Sequence, residues 1–200
     1  MSGTFPSSPA PSSIKVESFE PTLVSVTSNL TRQARSRGGQ RWSFSVSFPT
    51  MERSSFDPIF AFSIKQRGQY ETFTFVPKTI GTTRGVTTEA PVVDGALVVG
   101  VLSCSVDGLT ASTSNILRSG DFFKFSGHNK VYICTADMTS DGSGDATLNF
   151  APKLSKAVAN NETITINSVP FNVAFGSDVV SYATNVTGYY SYEVDLIEVP

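Results

Sequence analysis

The chain has 200 residues, of which 16% are charged and 40% are apolar, and its formal net charge is −2 at pH 7. An average soluble domain carries about 25% charged residues, so this composition excludes a coiled coil and a disordered acidic or basic tail. The chain has no overall basic footprint for nucleic acid, and no stretch of 18 apolar residues predicts a membrane span.

The first part of the chain alternates with the period of β-strands. Residues 1–13 are rich in Ser, Pro and Gly and predict a flexible N-terminal arm, without the charged and apolar regions of a signal peptide. Strands are predicted at 14–19 and 23–28. The clearest alternation follows at 42–48, where one strand face should be buried because side chains two residues apart point the same way. The residues expected on that face are Trp42, Phe44, Val46 and Phe48.

Residues 53–67 do not follow the two-residue period of a strand, because their apolar residues recur at spacings of three and four. That spacing predicts one short helix, with Pro58 in its first turn and Gly68 directly after its end. A strand is predicted at 70–76. The segment 78–97 is rich in Thr, Gly and Val and predicts a loop or a loose hairpin.

Short strands separated by turn residues fill the rest of the chain. They are predicted at 96–105, 122–125, 131–135, 146–150, 163–167, 171–175, 179–183 and 189–197. This spacing predicts an all-β fold, either a β-sandwich or a β-barrel, with one short helix at about 53–67. We expect a main β domain formed by residues 14–99 and 157–200, with an inserted β subdomain at 100–156.

The sequence contains no recognisable catalytic or metal-binding pattern. Its one histidine, His128, leaves too few imidazoles for a His-based metal site and argues against a Ser-His-Asp triad. The segment 141–145 is interpreted as a hairpin turn, because a calcium loop needs ligands through a twelfth position and flanking helices. We therefore expect no enzyme activity, no catalytic residue, no metal and no cofactor.

Acidic residues and cysteines are interpreted as structural. The acids that lie near strand ends or alternate outward are expected on solvated strand faces, not as the paired carboxylates of a glycosidase. They include Asp121, Glu193, Asp195 and Glu198. Cys104 and Cys134 lie in apolar, strand-like segments and are predicted to be buried free thiols.

One local cluster of positive charge occurs at 32–42, with four arginines and no acidic residue. One interpretation is a solvated hairpin loop. The other is a subunit interface at which guanidinium groups pair with carboxylates of another copy. The interface residues on that interpretation are Arg35, Arg37, Gln40 and Arg41. Contact with nucleic acid is less favoured, because no interleaved aromatic residues form a stacking platform, and we expect no sequence-specific nucleic-acid partner.

Two stretches of the chain have distinctive sequence motifs. The first contains Arg-Ser-Arg-Gly-Gly-Gln-Arg-Trp at 35–42 and Phe-Asp-Pro-Ile-Phe at 56–60. The second contains Gly-Asp-Phe-Phe-Lys at 120–124 and Asp-Gly-Ser-Gly-Asp at 141–145. Together, over about residues 20–155, they resemble tail structural proteins of tailed bacteriophages, of the distal-tail or baseplate type.

The resemblance implies a non-enzymatic virion component that is made in the cytoplasm of the host bacterium. Proteins of this kind are similar to all-β ring builders, so the implied partners are further copies of the chain and neighbouring tail tube, hub or fibre proteins. The implied role is to connect the tail tube to the tail tip or baseplate. No membrane partner is implied.

An alternative function rests on the tyrosines near the end of the chain. Tyr190 and Tyr192 share one predicted strand face, beside Tyr189, and exposed rings there could stack on sugars. The protein would then be a carbohydrate-binding β-sandwich module used in adsorption to the host surface. Ordinary strand packing also explains tyrosines at these positions.

Overall fold

The computed structural model describes residues 2–86 and 89–200. The chain forms two compact units, the first made of residues up to 73 together with 173–199, and the second made of residues 74–172. The segment 100–156, predicted as an inserted subdomain, lies inside the second unit, which extends beyond it on both sides.

The described residues form fourteen β-strands and one α-helix, and the all-β fold with one short helix is confirmed. Their bounds in chain order are β1 (Ser13–Phe19), β2 (Thr22–Val26), β3 (Arg32–Ser36), β4 (Arg41–Ser47), α1 (Arg53–Lys65), β5 (Phe73–Phe75), β6 (Val92–Asp94), β7 (Ser103–Asp107), β8 (Phe122–Phe125), β9 (Tyr132–Cys134), β10 (Ala146–Ala151), β11 (Ile164–Thr165), β12 (Phe171–Phe175), β13 (Tyr182–Thr184) and β14 (Tyr190–Glu198).

Strand β4 lies at the centre of the first unit. The strand order is β1-β4-β14-β12-β5, with β13 also paired to β14. Both neighbours of β4 run antiparallel to it, and Phe44 is opposite Val16 on β1 and Leu196 on β14. The predicted buried face is confirmed, since all four of its residues are less than a tenth exposed. They are Trp42, Phe44, Val46 and Phe48.

The predicted helix is confirmed, and it ends two residues earlier than expected. Its buried residues Phe56, Ile59 and Ser63 recur at spacings of three and four and so lie on one face. The placement of Pro58 was wrong: the helix begins at Arg53, so Pro58 is its sixth residue and lies past the first turn. The helix tolerates it by giving up one backbone N–H donor. No helix among residues 2–86 and 89–200 has the length and apolar character needed to cross a membrane.

The predicted N-terminal arm is attached to the first unit at Phe5. That ring is buried and lies 6.1 Å from Phe48, 5.6 Å from Phe62 and 5.8 Å from Phe73 between centroids. The Ser2 amide also donates a hydrogen bond to the carbonyl of residue 72 at 2.8 Å. The sequence pattern of the arm gives no sign of these contacts, because one phenylalanine among Ser and Pro shows no period.

The second unit is a nearly closed, barrel-like sheet. Its strand order is β11-β8-β9-β10-β7-β6, and a bridge between Val92 and Thr163 brings the two ends of that order together. The interior is a cluster of buried apolar residues in which aromatic rings predominate around β8, β9 and β10. The rings include Phe123, Phe125, Tyr132 and Phe150. Cys104 and Cys134 belong to this cluster as free thiols, as predicted.

Three stretches differ from the predicted pattern. The basic segment contains a strand, β3, where a loop was expected. The predicted loop 78–97 contains the short strand β6, and the predicted strand 96–105 is reduced to β7 at Ser103–Asp107. In each case pairing with a partner strand decides the outcome, and that partner cannot be read from a local pattern.

Candidate subunit-interface hairpin

Strands β2 and β3 form a two-stranded antiparallel sheet that is separate from the other sheets of the chain. We call residues 22–37 the arginine hairpin. Every residue from 22 to 39 is exposed, so neither face of the hairpin is covered by the described part of the chain. An isolated two-stranded hairpin is marginally stable in water. A surface that covers one of its faces would therefore stabilise it.

Local interactions at both ends define the hairpin. At its tip, the Thr27 amide donates to the Thr31 carbonyl at 3.1 Å, and the Leu30 amide donates to the Thr27 carbonyl at 2.9 Å. At its base, Gly38 and Gly39 have φ of 69° and 76°, in the left-handed region that glycine adopts without strain. These two residues turn the chain from β3 into β4.

The two faces of the arginine hairpin differ in chemistry. Directly opposite residues share a face, so Val24 and Ala34 lie on one face, while Leu23 and Arg35 lie on the other. Val26 follows Val24 on its face and is 59% exposed, and Leu23 is 56% exposed. The first face thus combines three apolar side chains with Arg32, which lies opposite Val26, and the second face combines Leu23 with Arg35.

The arginines of this segment have no ion-pair partner. The ion pairs of the described residues join Lys15 to Glu17, Arg53 to Asp57 and Arg84 to Asp121, and none involves an arginine of the segment. Residues 22–41 contain no carboxylate of their own. The guanidinium groups of Arg35 and Arg37 are therefore charged and exposed, and they form no ion pair with the described residues.

The structure places the four predicted interface residues in different settings. Arg35 lies on β3, Arg37 follows directly after that strand, and both are exposed. Gln40 is buried and donates a hydrogen bond from Nε2 to Ser18 Oγ at 2.8 Å, so it holds the base of the hairpin. Arg41 is the first residue of β4 and is paired with Phe19 of β1.

An apolar groove lies at the base of the hairpin, beside Arg41. Its cavity measures about 530 Å³, and its lining includes Phe19, Trp42 and Ile197. Phe19 is 65% exposed although its ring is fully apolar. Pro21 and Gly39, which flank the hairpin, also line the groove, together with the charged side chains of Glu17 and Arg41.

The tyrosines on which the carbohydrate-binding alternative rests pack mainly against other residues of the first unit. Tyr192 is 3% exposed, and its hydroxyl lies 2.8 Å from Ser63 Oγ. Burial raises the pKa of the Tyr192 hydroxyl. Tyr190 is half-buried, and its ring stacks on Phe56 at 4.7 Å between centroids. The Tyr192 ring therefore presents no face to a sugar.

Two acids expected on solvated faces are in fact buried, and that interpretation was wrong for them. Asp121 is 3% exposed and Glu198 is fully buried. Glu198 accepts a hydrogen bond from the Trp42 amide at 3.2 Å. Backbone donors at strand ends and turns satisfy such carboxylates, and a pattern of alternating residues does not reveal them.

The histidine and the cysteines lie inside the second unit. His128 is buried, and its Nδ1 lies 3.1 Å from the Tyr132 hydroxyl, which in turn lies 3.0 Å from Ser155 Oγ. Burial lowers the pKa of His128 and raises the pKa of Cys104 to about 12, which disfavours an imidazolium and a thiolate. No group of three or more His, Cys, Asp or Glu side chains that could hold a metal ion occurs in the part of the chain that is described.

Comparison with known proteins identifies the second unit. Residues 83–169 match the family model of the B domain of distal tail protein pb9. This part of the chain is thus similar to a domain of a phage distal tail protein. A comparison with curated proteins finds no match.

The matched segment lies inside the second unit, whose residues are 74–172. The arginine hairpin belongs to the first unit and lies outside the match. The family resemblance seen in the sequence is thus confirmed through the barrel-like unit, while the interface residues Arg35, Arg37, Gln40 and Arg41 stay a prediction.

Proposed function

We propose that this protein is a non-enzymatic structural component of a phage tail that assembles as a homo-oligomeric ring and connects the tail tube to the tail tip or baseplate. The observation that carries the proposal is the uncovered arginine hairpin of the first unit. It exposes Leu23, Val24 and Val26 together with arginines that have no counter-charge. Burial of that surface against another protein removes apolar area from water and gives the arginines partners.

A second copy of the chain supplies the neighbour in this proposal. In a ring, each copy meets the next through two different surfaces, so a basic patch on one copy can meet an acidic patch on its neighbour. Arg35, Arg37 and Arg41 contact the neighbour, and buried Gln40 fixes the base of the hairpin from which they project.

The match to a distal tail protein domain supports the remaining parts of the proposal. The protein is synthesised in the cytoplasm of the host bacterium and becomes part of the virion. Its other partners are neighbouring tail tube, hub or fibre proteins, and it uses neither a membrane nor a specific nucleic-acid sequence. The structure of Tyr192, with its buried ring, does not favour the carbohydrate-binding alternative.

Assembly tests the proposal directly. We expect the wild-type protein to form one discrete multimer in light scattering coupled to size exclusion, and rings in negative-stain electron microscopy. The variant combining Arg35→Ala with Arg37→Ala should keep its thermal unfolding profile, because both side chains are exposed, yet run as a monomer.

A matched control removes two exposed cations of the same unit that lie on α1. Arg53→Ala combined with Lys65→Ala should assemble like the wild type. A wild-type chain that stays monomeric at all concentrations would refute the ring. A multimer of normal yield from the Arg35 and Arg37 variant would place the interface elsewhere.

A further inference from the structure

A groove lies along β14 beside Glu193, which pairs with Ser47 at the end of β4 away from the arginine hairpin. Two cavities of about 160 and 390 Å³ lie there and share Ser181, Tyr192 and Glu193 in their linings. Asp195 lines the first cavity, and so does Val179, which is 76% exposed. We call this surface the acidic groove.

Among the described residues, no Lys or Arg lines either cavity of the acidic groove. Glu193 and Asp195 are two residues apart on β14, are both exposed, and form no ion pair. Asp195 accepts a hydrogen bond from Ser45 Oγ at 2.6 Å. Lys15 and Asp195 lie opposite Ser45 from the two neighbouring strands, so the charge of Lys15 acts on Asp195, but the ion pair of Lys15, at 2.6 Å, is with Glu17.

The arginine hairpin has the complementary pattern. Arg35 and Arg37 are also two residues apart, with β3 ending at the residue between them, so their side chains repeat along one face. Glu193 and Asp195 repeat with the same spacing of about 7 Å along β14. Leu23 lies opposite Arg35 and supplies an apolar side chain on that face, as Val179 does in the groove.

The two surfaces lie at opposite ends of β4. The hairpin leaves the sheet where Phe19 pairs with Arg41, at the start of β4. Glu193 pairs with Ser47, at the end of β4. The two patches are different surfaces of the first unit, as a head-to-tail contact between identical copies requires.

We propose that the acidic groove of one copy receives the arginine hairpin of the next copy. Arg35 and Arg37 pair with Glu193 and Asp195, and Leu23 packs against Val179. This inference rests on the proposed ring, and it names the surface that completes the contact.

Charge exchange tests the pairing. Glu193→Lys combined with Asp195→Lys should abolish the multimer, and so should Arg35→Glu combined with Arg37→Glu. The variant carrying all four substitutions restores opposite charges and the original net charge, and it should assemble again. Light scattering gives the mass of each variant, and circular dichroism verifies that each is folded.

A net-charge control changes two exposed acids of the second unit. Asp94→Lys combined with Asp145→Lys shifts the net charge by the same amount as the groove variant, and it should assemble like the wild type. A near-isosteric variant, Glu193→Gln with Asp195→Asn, covers the case in which lysines disturb the fold. It should raise the protein concentration needed for half-maximal assembly at least about tenfold.

The outcomes separate this inference from the proposed ring. Normal assembly of the Gln and Asn variant, while the Arg35→Ala and Arg37→Ala variant stays monomeric, would overturn the groove and leave the ring standing. A fourfold variant that folds but stays monomeric would also overturn the pairing. A monomeric wild-type chain would refute the ring and the groove together.

Discussion

Asp121 is a single carboxylate that joins two segments of the second unit. Its Oδ2 accepts hydrogen bonds from Thr83 Oγ1 at 2.7 Å, from the Arg118 amide at 3.0 Å and from the Arg84 amide at 3.1 Å. Its Oδ1 accepts one from Arg84 Nε at 3.0 Å. Burial by itself would raise the pKa of Asp121, but these donors outweigh it and hold the pKa below its ordinary value.

We predict that Asp121→Asn destabilises the protein by about 1–3 kcal/mol at pH 7, because an amide nitrogen then faces donors that need an acceptor. The folded pKa is the lower one, so the carboxylate stabilises the fold above the ordinary Asp value of 3.8. That contribution is lost as the pH falls through the folded pKa. Chemical unfolding at pH 7 and at pH 3 measures both effects.

The exposed carboxylate of Asp94 provides the control for this prediction. Asp94→Asn changes the charge of the same unit without removing a described hydrogen bond, and it should alter the free energy of unfolding by less than about 0.5 kcal/mol. If the Asp121→Asn protein has wild-type stability at pH 7, the four hydrogen bonds make no net contribution to the free energy of unfolding.

At the scale of elements, β4 shows how a strand with strict alternation fixes the core of the first unit. Phe44 is 1% exposed and faces the core, whereas Ser43 and Ser45 face outward and are half-buried. We predict that Phe44→Ala costs about 3–5 kcal/mol in chemical unfolding, because it removes a buried ring and leaves a cavity.

Ser43→Ala is the matched change on the opposite face of β4. It should cost less than about 0.5 kcal/mol, since a half-exposed hydroxyl is exchanged for a methyl group. Equal losses for the two variants would mean that the observed register of β4 is not the one that stabilises the protein in solution.

The arginine hairpin is the element for which the sequence was least informative. Leu23, Val24 and Val26 alternate weakly, and apolar residues in such a pattern normally predict a core. The structure leaves them exposed, because no other element of the described chain packs on them. One feature of the sequence could have indicated this exposure. The three apolar residues lie next to an arginine-rich segment without acidic residues, which is not typical of a hairpin in a protein core.

At the scale of the whole molecule, the second unit has its own core and its own nearly closed sheet. We predict that a fragment of residues 74–172 folds alone and unfolds in one cooperative transition, because β6 and β11 pair with β7 and β8 and bring the two ends of the sheet together. The shorter fragment 100–156 lacks both β6 and β11, and it should show no cooperative transition.

Thermal denaturation followed by circular dichroism compares the two fragments. Cooperative unfolding of 100–156 would place the domain boundaries where the sequence predicted them. Failure of 74–172 to fold would show that this unit depends on the rest of the chain, although residues 83–169 correspond to a domain of a known family.

The sequence by itself determined the all-β class, the short helix, the buried face of β4 and the two free thiols. Each of these follows from a local period or from apolar surroundings, which act over a few residues. The resemblance to distal tail proteins also came from the sequence, and its motifs at 120–124 and 141–145 lie inside the segment that matches the family model.

Only the tertiary structure decided which charges and rings are covered. Asp121 and Glu198 are buried because distant backbone amides reach them, and Tyr192 is buried because α1 packs across it and Ser63 meets its hydroxyl. Arg35 and Arg37 stay exposed because their hairpin pairs only with itself. Contacts between residues far apart in the chain set these outcomes, and a local sequence pattern carries no record of them.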